Sequence, residues 1–79
     1  MGGKEKRLSE VKVGESVVIE SFTDDLMKLK LMEMGCLPGE LITVDRIAPL
    51  GDPITIKLAD SIICIRIDEA DNVKVTSLS

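Results

Sequence analysis

The chain has 79 residues, of which 44% are hydrophobic, and its formal net charge is −4. This length allows one small domain with a thin core. Ten Lys and Arg residues against fourteen Asp and Glu argue against a protein that follows a nucleic-acid backbone, because such proteins need clustered basic side chains. Phe22 is the only aromatic residue, so a platform for base stacking is missing as well.

The first seven residues, Met1–Arg7, are mostly charged, and we predict a flexible N-terminal tail there. They contain no apolar segment of the kind that a signal peptide has. No apolar run in the chain approaches the roughly 20 residues that cross a bilayer, so we expect no direct membrane insertion. The sequence therefore predicts a cytoplasmic protein with both cysteines reduced, and a single domain over residues 8–79.

The first strand is predicted at Ser16–Phe22, where β-branched residues cluster. A helix should follow from about Asp25 to Met34. Thr23 and Asp24 can cap its free N–H groups, and the acidic start suits the positive end of the helix dipole. Gly35 can end the helix in a left-handed conformation, and Pro38 prevents it from continuing.

Four further strands are predicted from alternating apolar and polar residues and from the turns between them. They are Glu40–Ile47, Pro53–Leu58, Ile62–Ile67 and Asn72–Ser77. The segment Ala59-Asp60-Ser61 is predicted to form a short hairpin turn. Five short strands and one short helix after the first strand predict a mostly β fold, a small barrel whose closure protects strand edges.

The predicted helix is apolar on two sides, whereas a surface helix normally buries one stripe. The two apolar sets are Met27, Leu31 and Met34 on one side and Leu26, Leu29 and Met32 on the other. Either a domain of this size buries both sets, or it leaves one free to bind another protein. The sequence leaves both interpretations open.

We predict no catalytic residue, no cofactor and no metal site. The chain contains no histidine, so a Ser or Cys nucleophile lacks its usual base. Cys36 and Cys64 are far apart in sequence and form no zinc-binding pattern. The acidic segment Asp68-Glu69-Ala70-Asp71 is typical of a solvated turn.

The segment Ala48-Pro49-Leu50-Gly51-Asp52-Pro53 lies between two predicted strands. Proline fixes φ and Gly51 permits a positive φ, so the composition favours a stiff connector. We predict a structural role for its key residues, Pro49, Gly51, Asp52 and Pro53.

Several segments together resemble one known family. They are Leu8 with Gly14-Glu15, the run Lys30–Gly39, the run Ala48–Ile54, and Ile65-Arg66, Glu69-Ala70 and Val73–Val75. Their order and spacing, from about Leu8 to Val75, resemble the FeoA family of small cytoplasmic accessory proteins of bacterial ferrous iron uptake. The resemblance implies an SH3-like barrel. It also implies a partner, the FeoB membrane transporter, whose cytoplasmic part carries a GTP-binding domain.

The chain departs from the family pattern at three positions. Lys30 stands where Arg is frequent, and this puts a bidentate contact there in doubt. Cys36 stands where an aliphatic residue is usual, which favours a buried thiol. Val13 replaces a frequent proline.

Our first hypothesis is a non-enzymatic binding module that docks on the FeoB-type transporter and is recruited by it to the inner face of the membrane. Contact would involve the helix and the Leu37–Gly39 turn, with two lysines facing acidic groups of the partner. The candidate partner-binding residues are Lys28, Lys30, Leu31, Met34, Leu37 and Pro38. Two alternatives stay open: a metal-sensing or metal-carrying protein, and a self-associating structural module that hides its helix in a weak homo-oligomer.

Overall fold

The computed structural model describes residues 5–78. A 3-10 turn at Leu8–Glu10 follows the first strand, and the remaining elements are five strands and two helices. The strands are β1 (Glu5–Arg7), β2 (Ser16–Phe22), β3 (Leu41–Ile47), β4 (Ile54–Lys57), β5 (Ile62–Ile65) and β6 (Val73–Ser77), and the helices are α1 (Asp25–Glu33) and α2 (Ile67–Ala70).

The six strands form one antiparallel sheet in the order β1-β6-β2-β3-β4-β5. The mostly β prediction is therefore confirmed, as are the five predicted strands to within two residues at their ends. Register shifts between Ile19 and Ser21 and between Val44 and Arg46 mark irregularities of the bulge type, which bend a strand and increase its twist. Such bends allow a short sheet to curl around one core.

The core consists of aliphatic side chains that alternate along the strands, as a period of two requires. Val17 and Ile19 are buried on β2, Ile54 and Ile56 on β4, and the neighbouring residues of each strand are more exposed. The buried apolar residues are Leu8, Val11, Val17, Ile19, Leu31, Cys36, Ile42, Val44, Ile54, Ile56, Ile65, Ala70, Val73 and Val75.

The prediction of a flexible tail at Met1–Arg7 is wrong for its last three residues, since β1 pairs with β6. Side chains hold this strand as well as backbone bonds: Lys6 Nζ lies 2.8 Å from Glu15 Oε2, and Arg7 Nη1 donates to the carbonyl of Asp71 at 2.9 Å. The basic side chains that suggested a solvated tail thus form an ion pair and a hydrogen bond with the rest of the domain. Residues 1–4 lie outside the described part of the chain.

The segment after β5 also differs from the prediction. Ile67 begins the short helix α2 and does not extend the strand. Asp68 and Glu69 are in this helix and Asp71 follows it in a turn. The expected solvated turn is therefore wrong for Glu69, whereas Asp68 and Asp71 are exposed. Glu69 is only 6% exposed, because it accepts hydrogen bonds that draw it inward.

Candidate partner-binding surface

Helix α1 is defined by caps at both ends. The side chain of Asp24 accepts a hydrogen bond from Met27 N at 2.9 Å, which satisfies one of the free donors of the first turn. At the other end Gly35 has a φ of +103°. Gly35 N and Cys36 N donate to the carbonyls of Met32 and Leu31 at 3.0 Å, the pattern of a Schellman motif.

Gly35 is also needed for space. A β-carbon there would lie 3.2 Å from Leu58 Cδ1, in addition to the strain of a positive φ. The helix therefore ends against the residue that follows β4, and its direction is fixed at both ends.

The structure buries one apolar side of α1 and exposes the other. Leu31 is fully buried, and Met27 and Met34 pack against the core. Leu26 and Leu29 are 79% and 64% exposed. Residues three apart on a helix are neighbours, so these two leucines form one apolar patch, which half-buried Met32 continues. We call Leu26, Leu29 and Met32 the α1 patch.

The predicted partner-binding residues are divided by this arrangement. Leu31 is a core residue and is not accessible to a partner, which corrects the prediction. Met34 is half-buried against the core. Lys28 and Pro38 are exposed, and Leu37, in the turn after the helix, is 41% exposed.

Lys30 is occupied within the domain. Its ammonium group forms an ion pair with the Glu69 carboxylate, which joins α1 to α2. A lysine in this pair is not a free cation for an acidic partner. A Lys30→Glu change would place two carboxylates together and would disturb the contact between the helices, so it is a poor test of partner binding.

Glu69 lies at the centre of this contact. Its Oε1 accepts from Arg66 N at 2.8 Å, and its Oε2 pairs with Lys30. The hydrogen bond from Lys30 and, after it, the backbone hydrogen bond at Arg66 hold the pKa of Glu69 below its ordinary value. The carboxylate therefore stays charged although it is buried.

The β3–β4 loop supports the same region from the other side. Gly51 has a φ of +90°, and its N–H donates to the Ala48 carbonyl at 2.7 Å. Ala48 N in turn donates to the Pro53 carbonyl at 3.1 Å. The Asp52 carboxylate accepts from Ile67 N at 3.0 Å and thereby caps α2.

The two cysteines occupy different environments. Cys36 is buried, and burial raises the pKa of its thiol. Cys64 is exposed on β5. Within residues 5–78 no three His, Cys, Asp or Glu side chains converge in a way that could hold a metal ion. The absence of a metal site stays a prediction, which a metal-binding experiment has to test.

Sequence reasoning did not separate the α1 patch from the opposite side, because both sets of residues have the same apolar character. The signal that separates the two sides lies outside the helix. Cys36 N donates to the Leu31 carbonyl and both side chains are buried in the core, while Lys30 pairs with Glu69 of α2.

The FeoA domain family matches residues 6–77, nearly the whole chain. This chain belongs to the FeoA family. The family carries the SH3-like fold that the resemblance implied: the FeoA of Stenotrophomonas maltophilia, solved in complex with zinc, is described as a prokaryotic SH3 domain protein and as a proposed activating factor for bacterial ferrous iron transport. That structure has a TM-score of 0.76 and 31% identity, over 89% of this chain and 88% of its own.

Two further relatives place this FeoA domain in context. The NMR structure of a FeoA-like protein from Clostridium acetobutylicum is similar with a TM-score of 0.89 and 30% identity, over 96% of this chain and 90% of that one. A fusion of Fe(2+) transport protein A with the Fe(2+) transporter FeoB from Porphyromonas gingivalis is 32% identical over 74 residues. The match covers 92% of this chain and 9% of the fusion protein.

Association with ferrous iron transport is therefore a property of the family, and in one relative a FeoA domain is covalently joined to a FeoB transporter. In the described FeoA domain, neither helix has the length and apolar character that a bilayer crossing requires.

Proposed function

We propose that this FeoA domain is a non-enzymatic binding module that docks on the cytoplasmic part of a FeoB-type ferrous iron transporter through the α1 patch. The observation that carries the proposal is the exposure of Leu26 and Leu29 side by side on a capped, well-packed helix. Large apolar side chains that lie together on the surface of a small domain are typical of protein interfaces.

The choice of partner rests on the fusion protein, in which a related domain shares one chain with FeoB. Covalent linkage raises the effective concentration of two domains that interact. When the FeoA domain and the transporter are separate chains, the same contact has to hold them together without a linker. Leu37 and Pro38 are exposed in the turn that follows α1, and the proposed interface includes them.

A binding role fits the chemistry of the domain better than catalysis. The chain has no histidine, and the buried thiol of Cys36 has a raised pKa, which makes it a poor nucleophile. The domain would act at the cytoplasmic face of the membrane, held there by the transporter.

Leu29→Lys should abolish or strongly weaken binding to the purified cytoplasmic GTP-binding domain of the FeoB-type transporter from the same organism. The introduced lysine lies four residues from Asp25 and from Glu33, so it adds helix-stabilising pairs and keeps α1 folded. Loss of one central apolar anchor commonly costs about 2 kcal/mol or more, roughly a 30-fold change in Kd. Isothermal titration, with and without GTP, measures the effect.

The matched control is Leu50→Lys, the same chemical change at a leucine that is 97% exposed in the β3–β4 loop. This variant should bind like the wild type. Equal affinity of wild type and the Leu29→Lys variant would contradict the assignment of the α1 patch, and absence of binding by the wild type in both nucleotide states would contradict the proposed partner.

A further inference from the structure

The two edges of the sheet are protected very differently. β1, at one edge, consists of three charged residues, Glu5–Arg7, and charge discourages unwanted strand pairing. β5, at the other edge, has the sequence Ile-Ile-Cys-Ile, without a charge or a proline. Ile62 is 60% exposed and Cys64 is exposed as well.

The backbone at this edge has free hydrogen-bonding groups at two residues. Leu58 N donates to the Ser61 carbonyl at 2.8 Å, so the pair 58/61 is hydrogen-bonded. Along an antiparallel ladder, hydrogen-bonded pairs alternate with pairs that are not hydrogen-bonded. The pair of Ile56 with Ile63, two residues further along each strand, is therefore hydrogen-bonded too. Ile62 and Cys64 lie in the intervening positions, and their N–H and C=O groups point away from β4. Within residues 5–78, β5 pairs with β4 alone.

The free stretch is short and has defined ends. On one side the chain turns at Ala59 and Asp60 into the hairpin. On the other side the next outward donor, Arg66 N, is bound to Glu69, and the Arg66 carbonyl accepts from Ala70 N. Only Ile62 and Cys64 are left for pairing with another strand.

We propose that β5 pairs antiparallel with β5 of a second copy of this chain, about a two-fold axis at Ile63. In this register Ile62 of each copy faces Cys64 of the other, and both free residues of both copies form hydrogen-bonded pairs. A register shifted by two residues would place a free residue opposite the closed Arg66 or the turn at Asp60, and a shift by one would place it opposite Ile63 or Ile65, whose backbone groups face β4. The arrangement is isologous, so it ends at a dimer and does not extend into a fibre.

Charges at the ends of the free stretch favour the same register. Asp60 of one copy comes near Arg66 of the other, twice per dimer. Both side chains are exposed, and within the described residues neither is in an ion pair. A second copy is therefore a better occupant of this edge than an unrelated strand, because its own Asp60 and Arg66 are complementary to Arg66 and Asp60 of the first copy.

The expected dimer is weak. The contact involves one short strand from each copy, the rim is polar, and each copy carries a net charge of −4. Sedimentation equilibrium of the full chain over a wide concentration range should show a monomer–dimer transition. In parallel, NMR should show concentration-dependent shifts and slower hydrogen exchange at the amides of Ile62 and Cys64. A chain that stays monomeric at millimolar concentration, or that forms open-ended aggregates, would overturn the proposal.

A charge exchange tests the register. Asp60→Arg brings like charges together at both ends and should weaken the dimer about tenfold, since each of the two pairs changes from attraction to repulsion. The double variant Asp60→Arg with Arg66→Asp restores opposite charges and should recover most of the affinity. Circular dichroism confirms that both variants are folded. If the double variant dimerises no better than the single one, or if the single variant dimerises like the wild type, the register is wrong.

Cys64→Pro provides a second, independent variant. Proline removes the outward N–H of this position and leaves the hydrogen bonds to β4 in place, which is why edge strands tolerate it. We expect loss of the dimer with little change in the far-ultraviolet spectrum. An undiminished dimer in a folded variant would show that the β5 edge is not the contact.

Discussion

At the scale of single residues, two glycines shape the surroundings of the site. Gly35 ends α1 and leaves room for Leu58, and Gly51 turns the β3–β4 loop. The two differ in one respect: a β-carbon at Gly51 would meet nothing within 4 Å, whereas one at Gly35 would be crowded. Any cost of substituting Gly51 is therefore a backbone cost.

Gly51→Val should lower the free energy of unfolding by about 1–3 kcal/mol, because a β-branched residue is strained at a φ of +90°. Chemical denaturation measures the change. Gly51→Asn is the matched control, since Asn adopts positive φ more readily and should cost clearly less. If both variants unfold at the wild-type midpoint, the loop does not require a glycine for its conformation.

At the scale of elements, the contact between α1 and α2 depends on the pair of Lys30 and Glu69. The folded-state pKa of Glu69 lies below its ordinary value of 4.5. A carboxyl group with a lowered pKa stabilises the fold above that ordinary value, and its contribution is lost as the pH falls through the folded-state pKa. The contact should thus be strong at neutral pH and weak in acid.

Glu69→Gln should reduce the free energy of unfolding by about 1 kcal/mol at pH 7, because it removes the charge of a buried carboxylate whose partner Lys30 is 59% exposed and screened by solvent. The difference from the wild type should shrink as the pH falls below 4.5. Denaturation curves at pH 7 and at a series of acidic values test this. Glu15, whose pKa is lowered by Lys6, is present in both proteins and cancels in the comparison. A difference that is constant with pH would show that the Glu69 charge does not matter.

Helix α1 shows which features of the candidate site can be predicted from the sequence and which cannot. The helix itself, with its start at Asp25 and its termination before Gly35, follows from local signals, and the structure confirms it. Its rotation does not follow from such signals, because both sides are apolar. The structure shows it: Leu31 is buried in the core, and Lys30 pairs with Glu69, 39 positions later. No local pattern reports contacts of that kind.

At the scale of the whole molecule, we predict that the domain by itself binds no iron tightly. Ferrous iron sites in proteins usually bring several His or carboxylate ligands to one point. The chain has no histidine, and buried Cys36 and exposed Cys64 lie in separate environments. Anaerobic titration with ferrous iron, then desalting and metal analysis, should leave far less than one equivalent.

One equivalent of iron retained after desalting, and lost on changing Cys36 or Cys64 to Ser, would favour a metal-carrying role over a binding module. Cys36→Ser needs a folding control, since it places a hydroxyl in the core. Cys64 is exposed, so Cys64→Ser is the cleaner variant.

The sequence by itself determined the fold class, the five longer strands and the helix, since alternation, caps and turn residues are local properties of the chain. The SH3-like family followed from the order and spacing of its motifs. Only the tertiary structure decided that Glu5–Arg7 is a strand, that Glu69 is buried, and that Leu31 belongs to the core while Leu26 and Leu29 face outward. These outcomes depend on contacts between residues far apart in the chain, and their energies do not appear in any local pattern.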